Sequence, residues 1–406
     1  MNAAQQQTVI PDHVPAHLVR DIQLETLPGV GEDPHRAIAW LYHGPEIFYA
    51  PHGRQGGGTW MLTRAALIRE VYQDAERFSS HHNADFSRLL GEDWPLIPLE
   101  IDPPNHTHWR QLLNPLFGPN RMATMEKVVR DLAVELIEKI RGRGGCEFTQ
   151  DFGRPFPVTI FMQLMGLPLE ETATFLAWED GLLHSADMAV RARAAREIKD
   201  YLVRFMAERR RDPKDDITSF VMTTRFDGRP ITDEEALGIC YLFFVAGLDT
   251  VAASLGFIFR ELAGDQALQA RLRREPDTQR NAIEEIMRTH SIIVSGRTVT
   301  RDMDFHGVFF KKGDVVSLIT ALAGLDDREF PDPYRLDVDR QDVRHTAFSV
   351  GPHRCIGSHL ARRELKIALE EWLTRVPAFR IAEGATITTH ALGVWGVHNL
   401  PLVWNA

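Results

Sequence analysis

Cysteine is scarce in this chain of 406 residues, and its scarcity excludes a disulfide framework. The three cysteines, Cys146, Cys240 and Cys355, are far apart and odd in number, which is typical of a protein in a reducing compartment. Their spacing also gives no support to a zinc site built mainly from cysteine. We therefore expect a cytoplasmic protein without a cysteine-rich structural metal.

The sequence also lacks an excess of positive charge and a long apolar run. Its formal net charge is −10, which disfavours nucleic acid as the main partner because phosphate binding needs a basic surface. The start of the chain is polar and interrupted by proline, unlike a signal peptide. The most apolar stretch, residues 237–248, is too short to span a bilayer. We expect neither nucleic acid nor a membrane as a partner.

Hydrophobic residues make up 44% of the chain and charged residues 25%, the balance of an ordinary globular protein with a substantial core. No linker, repeat or charge block divides the chain, so we expect one domain over residues 1–406. Amphipathic stretches such as 122–141 and 189–211 predict helices, and short alternating runs between 296 and 313 predict strands. The fold class is therefore mainly α with minor β sheets.

A glycine-rich stretch, residues 56–58, precedes an apolar run at 59–62. It lacks the lysine and the spacing of a phosphate-binding loop. We expect these glycines to form a tight turn that enters a strand.

The sequence predicts one long central helix. Thr232 and Glu235 form a capping box, and no helix breaker follows for roughly 30 residues, a length of about 45 Å. Residues 241–245 are apolar on all sides, so this helix should run through the centre of the protein. Asp249 and Thr250 then fall within a buried span.

The segment 348–357, FSVGPHRCIG, presents Cys355 in a glycine-rich turn just before a predicted helix. Backbone N–H groups at a helix start lower the pKa of a cysteine and stabilise a thiolate. A cysteine in such a turn is also compatible with an inert buried thiol. The pattern, with Phe348, Gly351, Cys355 and Gly357 in place, resembles the haem-binding signature of the cytochrome P450 family. This resemblance implies a cytochrome P450 fold and haem b, with its iron ligated by the Cys355 thiolate.

Residues 246–250, AGLDT, resemble the oxygen-activation motif of the same family. The reaction needs protons inside an apolar cavity, and the Thr250 hydroxyl and the Asp249 carboxylate are suited to supply them. Thr250 is also expected to divert a helical hydrogen bond and widen a groove. The alternative is an ordinary helical threonine beside an aspartate that faces solvent. By resemblance, Asp249 and Thr250 are the catalytic residues.

Glu285 and Arg288 match the ExxR pair of the family. At positions i and i+3 they share one helix face and can form an ion pair. Such pairs are common on surface helices and indicate little by themselves. The resemblance adds Arg340 as a third partner and implies a structural triad that holds the cysteine loop.

Residues 102–110, DPPNHTHWR, resemble the family's segment that meets the haem propionates. His106 and Arg110 lie at i and i+4, so both can face one anionic group, and arginine suits bidentate carboxylate binding. A metal site on His106 and His108 is the rival interpretation, but residues at i and i+2 diverge on a helix. By resemblance, the cofactor-binding residues are His106, Arg110, Arg297, His353 and Cys355.

Nearly the whole chain resembles the soluble bacterial camphor monooxygenase subfamily, most densely at 304–308 and 400–404. The resemblance implies O2 as co-substrate and two electrons from a [2Fe–2S] ferredoxin, itself reduced by an NADH-dependent ferredoxin reductase. Trp94 stands where the camphor enzyme has a tyrosine that binds the substrate ketone. Ser295 replaces an aspartate near a propionate, and Asp342 replaces a lysine on the expected ferredoxin-facing surface.

The substrate pocket implied by this resemblance is apolar or aromatic, which suits a compact terpenoid. Simple core packing is the alternative for these residues, and most of all for Leu242. The pocket residues are Trp94, Leu96, Leu242, Val245, Ile293 and Val394. Because Trp94 replaces the ketone-binding tyrosine, we expect hydroxylation of a norisoprenoid of the ionone type, with camphor or another monoterpenoid as the alternative. A haem protein of another class, which uses peroxide or only binds a ligand, is disfavoured by the presence of Asp249 and Thr250.

Overall fold

A computed structural model describes residues 10–53, 57–84 and 86–405 of the chain. The first nine residues of the polar start and Gly56 lie outside these described residues. Helices dominate the described part, as the sequence predicts. They are α1 (Pro34–Ala37), α2 (Ala65–Gln73), α3 (Asn105–Leu113), α4 (Pro119–Thr124), α5 (Glu126–Ile140), α6 (Pro155–Met165), α7 (Thr172–Leu183), α8 (Met188–Arg211), α9 (Ile217–Thr223), α10 (Asp233–Leu248), α11 (Thr250–Gly264), α12 (Gln266–Arg274), α13 (Gln279–Thr289), α14 (Thr320–Gly324) and α15 (Ser358–Arg375).

The strands are short and scattered among the helices. They are β1 (Ile47–Ala50), β2 (Thr59–Leu62), β3 (Phe78–Ser79), β4 (Gly145–Glu147), β5 (Arg225–Phe226), β6 (Arg229–Pro230), β7 (Val294–Val299), β8 (Met303–Phe305), β9 (Val308–Phe310), β10 (Val315–Ile319), β11 (Phe379–Ile381), β12 (Thr389–Ala391), β13 (Trp395–Val397) and β14 (Pro401–Trp404). The strands predicted within 59–62 and 296–313 are confirmed.

The largest sheet has five strands in the order β1-β2-β10-β7-β3. The central strand β10 pairs in parallel with β2 and antiparallel with β7, where Val316 lies opposite Arg297. Immediately before β7, an isolated bridge joins Ile293 to Val394. The bridge brings together two residues that the sequence assigns to one pocket.

The predicted central helix is present but is not continuous. Its capping box is confirmed, since the Glu235 N–H donates to the Thr232 hydroxyl at 3.2 Å and the Thr232 N–H donates to the Glu235 carboxylate at 2.9 Å. The helix is interrupted at Asp249, between α10 and α11. One cause is local, because the Thr250 hydroxyl donates to the Ala246 carbonyl, 3.1 Å away, in the turn that contains the break.

This pair of helices lies inside the protein. Residues 233–264 are long and apolar enough to cross a membrane by length and composition, but 61% of the most apolar window is buried within the structure. Phe259 of α11 packs edge-on against Trp372 of α15, with ring centroids 5.1 Å apart. This burial is that of a core helix, and it places α11 beside α15, which follows Cys355.

Candidate functional site

Cys355 lies at the end of a tight loop that leads into α15. The loop closes on itself, because the Cys355 N–H donates to the Phe348 carbonyl at 2.9 Å and the Arg354 N–H donates to the Gly351 carbonyl at 3.1 Å. Gly351 has φ +75°, and a Cβ atom there would lie 2.7 Å from the Tyr72 carbonyl oxygen at the end of α2. Only glycine combines this backbone conformation with so close an approach.

The Cys355 thiol faces a large cavity of about 910 Å³. Protein surrounds the Cys355 thiol, but Cys355 is accessible from the cavity that it lines. Burial raises the pKa of Cys355, and the Gly357 N–H and the guanidinium of Arg110 act in the opposite direction without outweighing it. The expected effect of a backbone N–H group is therefore present, but in the protein alone desolvation outweighs it and the pKa of the thiol is raised. A bound metal ion would deprotonate the thiol outright.

Basic side chains converge on one edge of the cavity. Arg110, Arg297 and His353 line it, and the ring of His106 lies against that of His353 with centroids 4.1 Å apart. His106 itself is not among the lining residues. Burial and neighbouring arginines lower the pKa of His106 to about 4.

Within the described part of the chain no carboxylate forms an ion pair with these basic groups, although the charge of Asp102 acts on Arg297 and His106 from a longer distance. The Nε2 atoms of His106 and His353 are buried without a hydrogen-bond partner there. Arg297 is 4% exposed, donates to the Gly296 carbonyl at 2.6 Å and stacks over the Tyr72 ring. Buried cations and orphaned donors are costly unless a ligand supplies acceptors. A cavity with a thiol on one wall and this donor set at its edge fits a haem, whose propionates would accept from these groups.

The two predicted catalytic residues face different ways. Thr250 lines the cavity together with Ala246 and Gly247. Asp249 is 6% exposed and is not a lining residue, since its carboxylate accepts from His184 Nε2 at 3.1 Å. Asp249 thus connects the cavity wall to a second polar region, and it does not simply face solvent.

That second region was not predicted from the sequence. His184 Nδ1 bonds Asp180 at 3.1 Å, and Arg154 bonds both Asp180, at 2.8 Å, and Glu179, at 3.1 Å. The i, i+4 spacing of Asp180 and His184 on one helix face was the available signal. It was weak, because only the fold brings Arg154 and Asp249 to these residues.

The ExxR pair and its third partner are brought together. Glu285 and Arg288 are fully buried and form a bidentate pair at 2.7 and 2.8 Å, and Arg340 donates to Glu285 at 3.0 Å. Arg288 also donates to the Gly324 carbonyl at 2.6 Å. The three side chains therefore tie α13 to the loops that precede Cys355.

The neighbouring Glu284 forms a link that the sequence did not reveal. Its carboxylate accepts from Arg362 of α15 at 2.5 and 2.8 Å and from His345 at 2.8 Å. Arg362 in turn stacks over the Phe348 ring at 4.3 Å. Burial alone would raise the pKa of Glu284, but these partners outweigh it and lower the pKa to about 2. Glu284 thus connects α13 directly with both ends of the cysteine loop.

Five of the six predicted pocket residues line the cavity. They are Leu96, Leu242, Val245, Ile293 and Val394. Trp94 differs, because it is absent from the lining, packs against Tyr241 at 5.0 Å and donates its indole N–H to Glu92 at 2.5 Å. Lys199 pairs with the same carboxylate. An acidic partner thus draws the indole N–H away from the cavity.

The replacement at Ser295 and the rival histidine site are also resolved by contacts. The Ser295 hydroxyl shares a hydrogen bond of 2.7 Å with Tyr72, at the edge of the cavity where Arg297 lies. His108 pairs with Asp227 at 3.0 Å. Among the described residues, the grouping with metal-ligating geometry is Glu179, His184 and Asp249, so His106 and His108 do not form one.

Known proteins resemble this chain over its length. The family model for Cytochrome P450 matches residues 182–380. A probable cytochrome P450 127A1 from Sinorhizobium fredii is 44% identical over 402 residues, 97% of each chain. A steroid C26-monooxygenase from Mycobacterium tuberculosis is 29% identical, over 88% of this chain and 95% of its own. The crystal structure of CYP101J2 is 36% identical with a TM-score of 0.88, over 98% of this chain and 100% of that one. The chain therefore belongs to the cytochrome P450 family and is a monooxygenase whose haem iron is ligated by a cysteine thiolate.

Proposed function

We propose that this cytochrome P450 is a cytoplasmic, ferredoxin-dependent monooxygenase that hydroxylates a compact terpenoid of the ionone type. One observation carries the proposal: the Cys355 thiol, the Thr250 residue and an apolar wall all open on the same cavity. A small hydrophobic substrate held against that wall would lie between Thr250 and the haem.

The chain's own residues have separate tasks in this reaction. Cys355 would ligate the iron, and His106, Arg110, Arg297 and His353 would bind the propionates. When bound, the haem supplies the reduction of O2 and the oxidation of a C–H bond. Thr250 would hold a proton-donating hydroxyl at the cavity wall, and Asp249 would pass protons to it from the polar region around His184.

The substrate class follows from what the cavity offers. Its deep wall is formed by Leu242, Val245, Ile293 and Val394. Because the Trp94 N–H is bonded to Glu92, it does not replace the tyrosine that binds a ketone in the camphor enzyme. A ring system recognised mainly by apolar contact, such as an ionone, suits this wall better than a ligand anchored by one hydrogen bond.

The surface beside Cys355 supports an acidic electron donor. Arg110 donates to the Arg354 carbonyl at 2.8 Å, and both arginines lie next to the cysteine loop. Asp342, which replaces a lysine of the camphor enzyme, is exposed and pairs with Arg344 at 2.5 Å. The negative charge is therefore compensated locally, and a [2Fe–2S] ferredoxin with its NADH-dependent reductase remains the donor that we propose.

Titration of the purified holoprotein with ionones and with camphor tests the substrate. We expect β-ionone to give the larger low-to-high-spin shift of the Soret band, and a larger shift with camphor would instead support a monoterpenoid substrate.

The spectrum of the reduced CO complex tests the haem site separately. Loss of the thiolate-type Soret band in Cys355→Ala, with the band retained in Cys146→Ala, is the expected result.

A further inference from the structure

Three carboxyl groups and two basic groups pack together beside the helix break. Arg154, Glu179, Asp180, His184 and Asp249 form this relay cluster. It is anchored on one side by α7 and on the other by the junction of α10 and α11. The cluster extends from Asp249, which is 6% exposed, to Asp180, whose side chain is 45% exposed.

Glu179 is the member of the relay cluster that is buried with one carboxyl oxygen unpaired in the described part of the chain. Its side chain is 1% exposed. One oxygen accepts from Arg154 at 3.1 Å, and the other, Oε1, has no hydrogen-bond partner in the described part of the chain. One atom each of Glu179, His184 and Asp249 lie within 4.8 Å of one another. A buried carboxyl group thus lies within reach of Asp249 with one oxygen unused.

The charges of the relay cluster balance only when Glu179 is protonated. Asp180 and Asp249 are then matched by Arg154 and by the imidazolium of His184. An ionised Glu179 would add a third negative charge in a buried place, which is unfavourable.

We propose that Glu179 stores the proton that Asp249 passes toward the haem cavity. The inference rests on the proposed function in one respect, the role of Asp249 and Thr250 as the final relay. The Glu179 carboxyl group holds a proton, and water supplies the proton that replaces it after transfer.

The pKa values agree with this assignment. Burial, followed by the charge of Asp249, raises the pKa of Glu179 to about 8. Burial would lower the pKa of His184, but its hydrogen bonds to Asp180 and Asp249 outweigh that effect and raise it to about 10. The ring of His390 contacts that of His184, with centroids 4.5 Å apart, and the ring of His398 contacts that of His390. Burial lowers the pKa of His390 to about 4. At neutral pH Glu179 is therefore a carboxylic acid next to a fixed imidazolium.

One cycle of proton transfer through Glu179 leaves the oxidation state of every group unchanged. The O–H bond of Glu179 breaks as an O–H bond forms on the Asp249 carboxylate, and Asp249 then passes that proton to the Thr250 side and becomes a carboxylate again. The Glu179 carboxylate regains a proton from water at the exposed Asp180 side. His184 bonds Asp180 through one ring nitrogen and Asp249 through the other, so the proton crosses the imidazole to Asp249 and from there reaches Glu179. A pKa near the operating pH is what such a donor requires.

The decisive variant is Glu179→Gln, because glutamine has the shape and charge of the protonated acid but no mobile proton. We expect the rate of product formation with β-ionone to fall about tenfold at neutral pH, and more hydrogen peroxide to form per NADH consumed. This fall in rate is smaller than the ~10²-fold or larger fall expected when a proton donor in direct contact with the reacting group is removed. Wild-type activity should decline above pH about 8, and the variant should lack that step. Exposed Glu170→Gln is the matched control and should behave like wild type.

A Glu179→Gln variant with wild-type rate and coupling would overturn the proposal, since the carboxyl would then act only as a neutral hydrogen-bonding group. Infrared spectra of the wild-type holoprotein with ¹³C-labelled glutamate give a readout independent of turnover. A carboxylic-acid band that titrates near pH about 8 is expected, and its absence at neutral pH contradicts the store.

Two further measurements separate this inference from its alternatives. If Asp249→Asn leaves coupling unchanged, the proposed role of Asp249 fails; if only Glu179→Gln leaves it unchanged, the store alone fails. Binding of Zn²⁺ to the holoprotein at neutral pH, lost in Glu179→Gln, would replace the proton store with a metal site on Glu179, His184 and Asp249.

Discussion

The backbone of Gly351 has a positive φ of 75° where the cysteine loop touches α2. A Cβ atom at this position would meet the Tyr72 carbonyl at 2.7 Å and the Gln73 Cα atom at 3.0 Å. Neither contact can relax by a side-chain rotation, because both neighbours are backbone atoms. The loop that presents the thiol is thus fixed by a residue with no side chain.

We expect Gly351→Ala to lower the free energy of unfolding by about 1–3 kcal/mol or more, because the left-handed backbone is strained and the loop must move. The displaced loop should also bind haem less well. Thermal unfolding and the fraction of thiolate-type CO complex measure the two effects. Gly384→Ala is the control, since Gly384 also has a positive φ but open space around its Cβ position. Equal losses in the two variants would show that close packing against α2 is unimportant.

Leu242 and Trp94 were both assigned to the substrate pocket, and the structure separates them. Leu242 lines the cavity, and the Trp94 indole is bonded to Glu92. We expect Leu242→Ala to weaken binding of β-ionone by about 1–3 kcal/mol, because the variant leaves part of the wall unfilled. Trp94→Phe should change binding little. Spin-state titrations give both dissociation constants, and a stronger effect at Trp94 would restore it as a substrate contact.

The sequence predicts those residues whose role depends on a local pattern. Cys355, with the glycine turn before it, is such a case, and so is the alternation that places Arg297 on a strand. The direction of the Trp94 indole N–H could not be predicted, because a homologous position indicates where the backbone lies and not how the side chain is oriented. The direction was set by Glu92, two residues away, and by Lys199 from a distant helix.

At the scale of elements, α13 is the support of the cysteine loop. Glu285 and Arg288 bind it to the segment that holds Arg340, and Glu284 binds it to α15. The adjacent glutamates therefore bind different partners around the loop. Because Glu284 has an arginine and a histidine as partners, its contribution to stability depends on pH.

We expect Glu284→Gln to lower the free energy of unfolding at neutral pH by up to about 3 kcal/mol, the value of a pKa held near about 2 instead of 4.5. The sign follows from the lowered pKa. The stabilisation is present above pH about 4.5 and is lost as the pH falls toward about 2. Urea unfolding of wild type and variant at neutral pH and near pH 2 measures the difference, which should shrink in acid. The exposed Glu383→Gln should show no such difference, and a gap that persists in acid would contradict the assignment.

The central helix shows how far elements follow from sequence. Its capping box and its burial are local properties and were predicted. The distortion at the break was predicted in part, since Thr250 was expected to divert a helical hydrogen bond and donates to the Ala246 carbonyl. The contact of Asp249 with His184, which comes from 65 residues earlier in the chain, was not predicted. A pattern of apolar residues does not contain that contact.

At the scale of the whole molecule, strand β7, helix α3 and the cysteine loop place Arg297, Arg110 and His353 around one cavity. Arg297 is the clearest instance. It is 4% exposed, lies on the largest sheet, and contacts a backbone carbonyl and an aromatic ring. A buried charge of this kind reduces stability unless an anion joins it. The proposed contact of Arg297 with a haem propionate would offset this cost.

This cost predicts opposite effects of one substitution in the two forms of the protein. Arg297→Met should leave the apoprotein as stable as wild type, or more stable by about 1 kcal/mol, because it removes a buried charge that no carboxylate pairs directly. The same variant should bind haem more weakly, because Arg297 is the proposed partner of a propionate, so the stabilisation that haem provides should fall. Urea unfolding of the apo and holo forms measures both quantities. Arg340→Met serves as the control, since its partner Glu285 is present in both forms and its removal should destabilise both alike. Equal destabilisation of the two forms by Arg297→Met would mean that Arg297 is a core residue held by Tyr72 and not a group kept for the cofactor.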